Sequence, residues 1–185
     1  MQVLVADKFE KSGLEGLKSI GCAVAYEPES GTDRIAALAA QHKPAILVVR
    51  STKVPGSVVA ALPAAGVKVI IRAGAGVDNI DSAAATAAGI KVCNCPGMNA
   101  IAVAELTMGL ILACDRRIAE QTIEARAGKW NKKEYAKARG LKGLTLGLVG
   151  LGAIGKAVAQ RAKAFDMRVV GWSRSLTPQS AGTMG

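Results

Sequence analysis

Short runs of β-branched and other aliphatic residues recur along the first half of the chain, separated by stretches with helical spacing. The runs are VLVAD (3–7), AVAY (23–26), AILVV (45–49), VKVII (67–71) and IKVC (90–93). Between them, Leu14, Leu17 and Ile20 share one helical face, and Ile35 and Leu38 share another. Strands that alternate with helices are typical of a parallel sheet with right-handed crossovers. The pattern predicts a five-stranded α/β domain over residues 1–98.

A longer helical pattern follows this domain. Asn99 can cap the helix, and near Gly128 the apolar spacing dissolves into a basic segment. Glu105 lies inside the apolar stretch AIAVAELTMGLILAC, so its carboxylate must be hydrogen-bonded or face water. We interpret residues 99–143 as a helical connector between two domains.

A strand, a glycine turn and a helix come next, in LTLGLVGLGAIGKAVAQRAKAF (144–165). The turn carries Gly150, Gly152 and Gly155 with the spacing G-x-G-x-x-G. Gly150 permits the tight turn, Gly152 leaves room for a pyrophosphate, and Gly155 lets the helix pack close to the strand. Free N–H groups at the helix N-terminus would face the phosphates. With the second strand MRVVGW, the sequence predicts that residues 144–185 begin a Rossmann domain.

The adenosine end of this site is predicted at Ser173 and Arg174, which follow the second strand. An NAD site normally places Asp or Glu there, to accept hydrogen bonds from the ribose hydroxyls. A serine beside an arginine would suit a 2′-phosphate, so the pair favours NADP(H) over NAD(H). In the alternative interpretation, Arg174 stacks on the adenine or points into water.

The net charge of +10 is concentrated in the second half of the chain. Residues 126–143 hold seven basic side chains and one acidic side chain, with Trp130 and Tyr135 as their aromatic residues. No nucleic-acid-binding motif surrounds these residues, so we predict no nucleic-acid partner. The segment is interpreted as a solvated connection or as an arm that contacts a partner subunit.

The sequence predicts neither a metal site nor a membrane segment. The four cysteines have no zinc-ligand spacing, and we interpret them as small buried thiols in a reducing cytoplasm. The N-terminus MQVLVADKFEK has no basic region ahead of its apolar residues, so it does not resemble a signal peptide. The longest apolar run falls short of a membrane span.

Five segments give the chain its resemblance to a known family. They are VVRSTKV, RAGAGVDNID, GIKVCNCPGMNAIAVAELTMGLIL, GKWNKKEY and GLTLGLVGLGAIGKAVAQRAKAFDM, and together they cover most of residues 45–172. The chain resembles the D-isomer-specific 2-hydroxyacid dehydrogenases. The resemblance implies a flavodoxin-like substrate domain, a connector and a Rossmann domain through which two subunits dimerise. It also implies hydride transfer between NAD(P) and a D-2-hydroxy acid, with 3-phosphoglycerate as the expected substrate and glyoxylate or hydroxypyruvate as alternatives.

The resemblance assigns substrate-binding residues in two loops and at the start of the connector. They are Arg50, Ser51, Gly74, Ala75, Gly76 and Asn99. Arg50 would meet an anionic substrate, with Ser51 beside it and Lys53 assisting. The backbone N–H groups of residues 74–76 would hold the substrate carboxylate, and successive glycine-flanked N–H groups can form such an anion nest.

On the cofactor side the resemblance adds Thr107, where the long helix approaches the cofactor, and the backbone of Ala153 and Ile154 at the pyrophosphate. Two positions depart from the family pattern. Ala75 stands where the family usually has Thr, and Ala153 stands where it usually has Arg. One cofactor hydroxyl contact and one phosphate contact are therefore expected to be absent.

The resemblance places the catalytic Arg, Glu and His of the family beyond residue 185. The single histidine, His42, is predicted to be exposed at a helix end without a carboxylate partner. General acid catalysis needs a proton donor within hydrogen-bond reach. We therefore assign no catalytic residue and expect residues 1–185 alone to be inactive.

The last ten residues, LTPQSAGTMG, are predicted to be an exposed loop without a helix. This prediction favours a fragment of a longer enzyme. The alternative is a non-catalytic module that binds a nucleotide or a partner.

Overall fold

The computed structural model of the protein describes residues 1–183. The chain divides into two compact units, the first ending at Met98 and the second beginning at Asn99. Each unit contains its own parallel sheet and its own buried cluster of apolar side chains.

The first unit contains a five-stranded sheet, as the sequence predicts. Its strands are β1 (Gln2–Val5), β2 (Ala23–Tyr26), β3 (Ile46–Val49), β4 (Val69–Arg72) and β5 (Lys91–Cys93), in the order β2-β1-β3-β4-β5. All neighbours are parallel, and Val3 of β1 lies opposite Val24 on one side and Ile46 on the other. The strand order reverses between β1 and β3, which defines the switch point of this sheet.

Helices cover both faces of the sheet in the first unit: α1 (Lys11–Ser19), α2 (Gly31–His42), α3 (Gly56–Val59) and α4 (Ser82–Ala87). Side chains alternate along each strand, so Leu4 and Leu47 belong to one cluster and Val3 and Val48 to another. Helices α2, α3 and α4 contribute to the first cluster, and α1 packs on the second. The prediction for Ile20 was wrong: α1 ends at Ser19, and Ile20 is 74% exposed.

The predicted long helix of the second unit is two helices. Helix α5 (Ala100–Arg116) ends at Arg117, whose φ of 52° is left-handed, and α6 (Ile118–Arg126) begins directly after it. The basic segment then folds back toward Arg117, and most of its residues remain exposed to solvent. It forms the short helix α7 (Lys132–Tyr135), and Glu134 accepts a 2.9 Å hydrogen bond from Arg117 Nη1.

The glycine motif lies between a strand and a helix, as the sequence predicts. Strand β6 (Thr145–Val149), helix α8 (Ala153–Ala164) and strand β7 (Arg168–Trp172) form a parallel two-stranded unit. Helix α5 packs on α8 through buried Ala104 and Met108 on one side and Ala157 and Val158 on the other. Residues 99–143 therefore lie in the same compact unit as the strands that follow them.

The prediction that the last residues contain no helix was wrong for the part that the structure describes. Helix α9 (Pro178–Gly182) begins after Thr177, whose hydroxyl accepts the backbone N–H of Ser180. Ser180 Oγ in return accepts the N–H of Thr177, which completes a capping box. Met184 and Gly185 lie outside the described residues.

Two side-chain predictions also need correction. His42 ends α2 but is half-buried, and its Nε2 lies 3.3 Å from the Glu27 Oε1 carboxylate oxygen. The cysteines are not all buried, since Cys114 is exposed and the other three are half-buried.

Within residues 1–183, no three His, Cys, Asp or Glu side chains gather as a metal site would require. In the same range, no helix combines the length and apolar character needed to cross a membrane.

Candidate functional site

The glycine turn between β6 and α8 has the geometry of a dinucleotide-binding turn. Gly150 has a φ of 101°, which favours glycine, and its N–H donates to the Trp172 carbonyl oxygen at 2.7 Å. A β-carbon on Gly155 would overlap the carbonyl oxygen of Gly150, so the third glycine permits close packing of helix on strand. A β-carbon on Gly152 would meet nothing within 4 Å. The space above Gly152 is open to a ligand.

The start of α8 offers hydrogen-bond donors to that open space. The N–H groups of Ala153, Ile154 and Gly155 donate to no acceptor within residues 1–183. Ala153 and Ile154 are exposed. Unpaired N–H groups and the positive end of the helix dipole suit a pyrophosphate. The residues of this turn therefore fit a bound dinucleotide.

Ser173 and Arg174 directly follow β7, where the ribose end of such a cofactor would lie. Ser173 is half-buried and Arg174 is exposed. The strand end is fixed to the glycine turn by packing as well as by the Gly150 hydrogen bond. A β-carbon on Gly171 would lie 2.6 Å from Leu151 Cδ1, so Gly171 makes room for Leu151.

The two other predicted residues of the second unit lie on α5. Thr107 is half-buried, and its hydroxyl donates to the Val103 carbonyl oxygen of its own helix at 2.7 Å. Asn99 occupies the N-cap position of α5, but its side chain makes no capping hydrogen bond. The exposed Asn99 amide has no hydrogen-bond partner within residues 1–183, so it can bind another group.

In the first unit, the predicted anion-binding residues Arg50 and Ser51 follow β3 at the switch point of the sheet. Ligands of open α/β sheets bind outside the carboxyl ends of the strands at this point. The Arg50 guanidinium is exposed, and its Nη1 lies 3.5 Å from Glu10 Oε1. Arg50 and Ser51 line a shallow depression of about 560 Å³ with Asp7, Lys8, Glu29 and Thr52.

Asp7, two residues after the end of β1, holds the loop that carries Arg50. Its Oδ2 accepts three backbone N–H groups, from Arg50 at 2.8 Å, Ser51 at 2.9 Å and Thr52 at 2.8 Å. Partial burial raises the pKa of the Asp7 carboxyl, but the hydrogen bonds from Thr52, Arg50 and Ser51 outweigh this effect. The pKa is therefore below its ordinary value of 3.8.

The carbonyl groups of the same loop are held from three other directions. Arg72 Nε donates to the Arg50 oxygen at 3.0 Å, Asn79 Nδ2 to the Thr52 oxygen at 2.8 Å, and Thr32 Oγ1 to the Lys53 oxygen at 3.0 Å. The backbone of residues 50–53 is thus fixed by side chains from separate elements. The exposed side chains of the loop remain available to a ligand.

The glycine loop at residues 74–76 follows β4. Gly74 donates its N–H to the Arg72 oxygen at 2.8 Å, so this group is already engaged. The N–H groups of Ala75 and Gly76 have no acceptor within residues 1–183. The loop is held from the β5 side, where Cys95 N–H donates to the Gly74 oxygen and Asn94 Nδ2 to the Ala75 oxygen, the latter at 2.6 Å.

Gly74 also makes room for the Arg72 side chain, because a β-carbon there would overlap the guanidinium. Arg72, Asp7 and Asn94 were missed as site residues in the sequence. Each of them ends or directly follows a predicted parallel strand. Since the carboxyl ends of such strands share one edge, this position is the signal that could have identified them.

Nearly the whole chain matches one family of known proteins. Residues 3–184 match the profile described as "D-isomer specific 2-hydroxyacid dehydrogenase, catalytic domain". The chain belongs to this family. Its five-stranded parallel sheet is the one that solved structures of similar proteins share.

Relatives within the 2-hydroxyacid dehydrogenase family are similar over part of their length. The chain is 41% identical to "D-3-phosphoglycerate dehydrogenase" of Methanocaldococcus jannaschii, over 100% of this chain and 34% of that protein. It is 51% identical to "Hydroxypyruvate reductase" of Thermotoga maritima, over 69% of this chain and 41% of the other. The chain thus spans less than half the length of these relatives.

Solved structures have the same fold. The TT0316 protein from Thermus thermophilus superposes with a TM-score of 0.83 at 35% identity, over 96% of this chain and 58% of that one. An NAD+-bound 3-phosphoglycerate dehydrogenase from Entamoeba histolytica has a TM-score of 0.77 at 29% identity, over 97% and 56%. An acyclic imino acid reductase, Bsp5, in complex with NADPH and D-Arg, has a TM-score of 0.82 at 25% identity, over 96% and 57%. Both cofactors therefore occur on this fold.

Proposed function

We propose that this chain supplies the substrate loop and the first part of the nicotinamide cofactor site of an enzyme that oxidises or reduces a D-2-hydroxy acid and its 2-keto partner. The observation that carries the proposal is the turn between β6 and α8. Gly155 has no space for a side chain, Gly152 has open space, and within residues 1–183 the N–H groups of residues 153–155 have no acceptor. This combination is what a pyrophosphate requires.

The pair that we propose is 3-phosphoglycerate and phosphohydroxypyruvate. Such substrates carry a carboxylate and a phosphate. The carboxyl ends of β3 and β4 present the Arg50 and Arg72 guanidinium groups, together with the N–H groups of Ala75 and Gly76, which have no acceptor within residues 1–183. Charge-assisted hydrogen bonds to carboxylate and phosphate are the strongest contacts available there. The names of several relatives support this choice.

The main alternative is a glyoxylate or hydroxypyruvate reductase. The 51% identity to a protein named "Hydroxypyruvate reductase" favours it, and these smaller acids need one anionic contact instead of two. A non-catalytic module that binds a nucleotide or a partner is the remaining alternative. Saturable binding of 3-phosphoglycerate, but not of glyoxylate or hydroxypyruvate, would separate the proposed substrate from the first alternative.

When bound, the nicotinamide cofactor supplies the hydride acceptor or donor. The backbone of Ala153 and Ile154 would hold its pyrophosphate, and Ser173 and Arg174 its ribose end. We propose a preference for NADP(H), because Arg174 is exposed directly after β7 and no carboxylate stands at position 173. Thr107 and Asn99 would contribute polar contacts from α5.

Proton transfer has no assigned residue in this chain. His42 is paired with Glu27 in the first unit, at the end of α2 and not at a strand end. We expect residues 1–185 by themselves to bind cofactor and acid without turnover, because removal of a positioned proton donor costs about 10²–10⁴ in rate. To test this, the purified chain would be mixed with one cofactor, NADPH or NADH, and one acid. The acids are phosphohydroxypyruvate, hydroxypyruvate and glyoxylate, and the absorbance of the nicotinamide would be followed. Turnover that is lost in Gly152→Val would contradict this expectation.

We also propose that two complete subunits dimerise through the second unit. Helix α5 exposes Leu106 and Leu110, which are four residues apart and share one face, and Trp130 after α6 is 86% exposed. Apolar side chains grouped on one helix are typical of a subunit contact. Sedimentation of the wild-type chain and of Leu106→Glu would measure whether this face associates.

Calorimetric titration with NADPH and NADH tests the cofactor proposal directly. Arg174→Ala should weaken NADPH binding by about 1.5–3 kcal/mol, the value of a hydrogen bond to a charged group, and leave NADH binding nearly unchanged. Arg168→Ala, which removes an exposed arginine at the start of β7, is the matched control. Equal losses for the two cofactors would contradict the proposed role of Arg174. Absence of binding to either cofactor would contradict the dinucleotide site itself.

A further inference from the structure

The Asp7 carboxylate lies where an external anion would bind in other proteins. Three successive backbone N–H groups, from residues 50, 51 and 52, converge on its Oδ2 within 2.8–2.9 Å. Successive N–H groups that point at one oxygen form the concave nest that commonly binds phosphate. In this protein the nest is filled by the side chain of Asp7, which follows the neighbouring strand β1.

The position of Asp7 is fixed independently of the loop that it holds. Its strand β1 is hydrogen-bonded on both sides, to β2 and β3, and the preceding Val5 and Ala6 are fully buried. The Ala6 N–H donates to the Val48 oxygen at 2.9 Å. Asp7 therefore projects from one of the most constrained parts of the first unit.

We propose that Asp7 is the positioning residue of the substrate loop, whose carboxylate fills the nest of residues 50–52, so that the substrate's anionic group is bound by the Arg50 side chain and not by the loop backbone. This inference rests on the proposed function, because it concerns how the same loop binds a 2-hydroxy acid. Asp7 itself does not contact the substrate.

Hydrogen bonds to the carbonyl groups of the loop indicate that its backbone should keep its conformation without Asp7. Asn79 and Thr32 hold the oxygens of Thr52 and Lys53, and Arg72 holds that of Arg50. Removal of the carboxylate leaves three N–H groups unpaired while these contacts remain. A small external carboxylate should then occupy the vacated position and restore the loop, which a side chain with a merely structural role would not allow.

The first test measures the loop directly. Backbone amide resonances of residues 50–52 would be recorded by ¹⁵N–¹H NMR for wild type, Asp7→Ala and Asp7→Asn, each titrated with sodium formate against sodium chloride. Asp7→Ala should shift these three amides, and formate at tens of millimolar should return them toward the wild-type positions. Asp33→Ala, which removes an exposed carboxylate from the first turn of α2, should show neither effect.

Two results of this test would overturn the proposal: amides that do not shift in Asp7→Ala, or shifted amides that formate does not restore. If Asp7→Ala does not fold, Asp7→Asn decides, because it retains the shape of the side chain and one carbonyl acceptor. The amide resonances of residues 50–52 should shift in Asp7→Asn because the carboxylate charge is lost. Unchanged resonances in this variant would count against the proposal.

The second test measures substrate binding on the same samples. The ¹⁵Nε resonance of Arg50 would be recorded while each sample is titrated with 3-phosphoglycerate, hydroxypyruvate or glyoxylate. Asp7→Ala should bind at least tenfold more weakly than wild type, and formate should recover most of this loss. Binding by Asp7→Ala as tight as that of wild type would overturn the positioning role and leave the proposed function intact. If wild type binds none of the acids, the proposed function fails together with the role of Asp7 in binding, whatever the formate test shows.

Discussion

Gly155 in α8 approaches Gly150 so closely that a β-carbon on Gly155 would overlap the Gly150 carbonyl oxygen. The two glycines hold the first turn of α8 against the end of β6. Gly152 lies between them in sequence and has open space in the direction of its missing β-carbon. The same motif thus contains one glycine required by packing and one that leaves room for a ligand.

Alanine at these two positions should separate stability from nucleotide binding. Gly155→Ala should lower the free energy of unfolding of the second unit by about 1–3 kcal/mol, as overpacking typically does. Gly152→Ala should leave stability within about 0.5 kcal/mol, since surface changes away from packed sites are usually that small, but weaken binding of NADPH or NADH. Urea unfolding followed by circular dichroism and calorimetric titration measure the two effects. Equal destabilisation by both variants would contradict this division.

Gly74→Ala should disturb Arg72 more than it disturbs the fold. The added methyl group would overlap the guanidinium, which has to leave its hydrogen bond to the Arg50 oxygen. The stability cost should be about 0.5–1.5 kcal/mol, the net value of one hydrogen bond, because a long side chain can move. Binding of 3-phosphoglycerate, followed by NMR, should weaken. Gly16→Ala in α1 meets nothing within 4 Å and is the control that should bind normally.

The stabilising effect of Asp7 should depend on pH in a defined direction. Its folded-state pKa is lowered below 3.8, so its contribution is fully present above about pH 3.8 and is lost as the pH falls through the folded-state pKa. Asp7→Asn should therefore be less stable than wild type at pH 6, by about 1–3 kcal/mol, with partial exposure favouring the lower value. The difference should shrink below pH 3.8. A stability gap between wild type and Asp7→Asn that widens in acid would contradict the assignment.

Lys43 ends α2 in the left-handed conformation with a φ of 46°. Glycine favours this position after a helix. Lys43→Gly should stabilise the first unit by up to about 1 kcal/mol, because relief of the left-handed cost exceeds the added freedom of the unfolded chain. Lys18→Gly, in the last turn of α1, should destabilise by about 1 kcal/mol. Thermal unfolding midpoints that move in the same direction for both variants would contradict this explanation.

Residues 1–98 should fold when expressed alone, because the sheet and both apolar clusters of the first unit lie within this range. Hydrogen exchange would then be slow for the amides of β3 and β4, which are central strands. Fast exchange throughout residues 45–72 would show that the first unit depends on the second. Residues 99–185 expressed alone serve as the comparison.

The strands and the glycine turn were predictable because their signals are local. Each strand is a short aliphatic run, and G-x-G-x-x-G carries its own turn geometry in three residues. The break at Arg117 was not predictable in the same way, since Arg is a good helix former. Arg117 has a left-handed backbone, and its guanidinium contacts residues far along the chain. It donates to Glu134, 17 residues later, and lies 5.0 Å from the centre of the Tyr135 ring.

The sequence prediction misses helix α9 because serine, proline and glycine are typical of loops. The capping box between Thr177 and Ser180 and the proline at the first turn are helix-start signals in the same residues. The supports of the substrate loop could not be identified for a different reason. Asp7 and Arg50 are 43 residues apart, and only the strand order β2-β1-β3 brings them together.

The separation of backbone support from exposed side chains in residues 50–53 has an evolutionary consequence. The hydrogen bonds that Asp7, Arg72 and Thr32 make to residues 50, 51 and 53 all involve main-chain N–H or C=O groups, and none requires a particular side chain at those positions. Thr52 differs, because its side chain also hydrogen-bonds Asp7. Descendants of such a protein can exchange the side chains at positions 50, 51 and 53 while the loop keeps its shape. Single substitutions at these positions can then change which 2-hydroxy acid is bound. A library randomised at the three positions would be a small one in which to search for such changes.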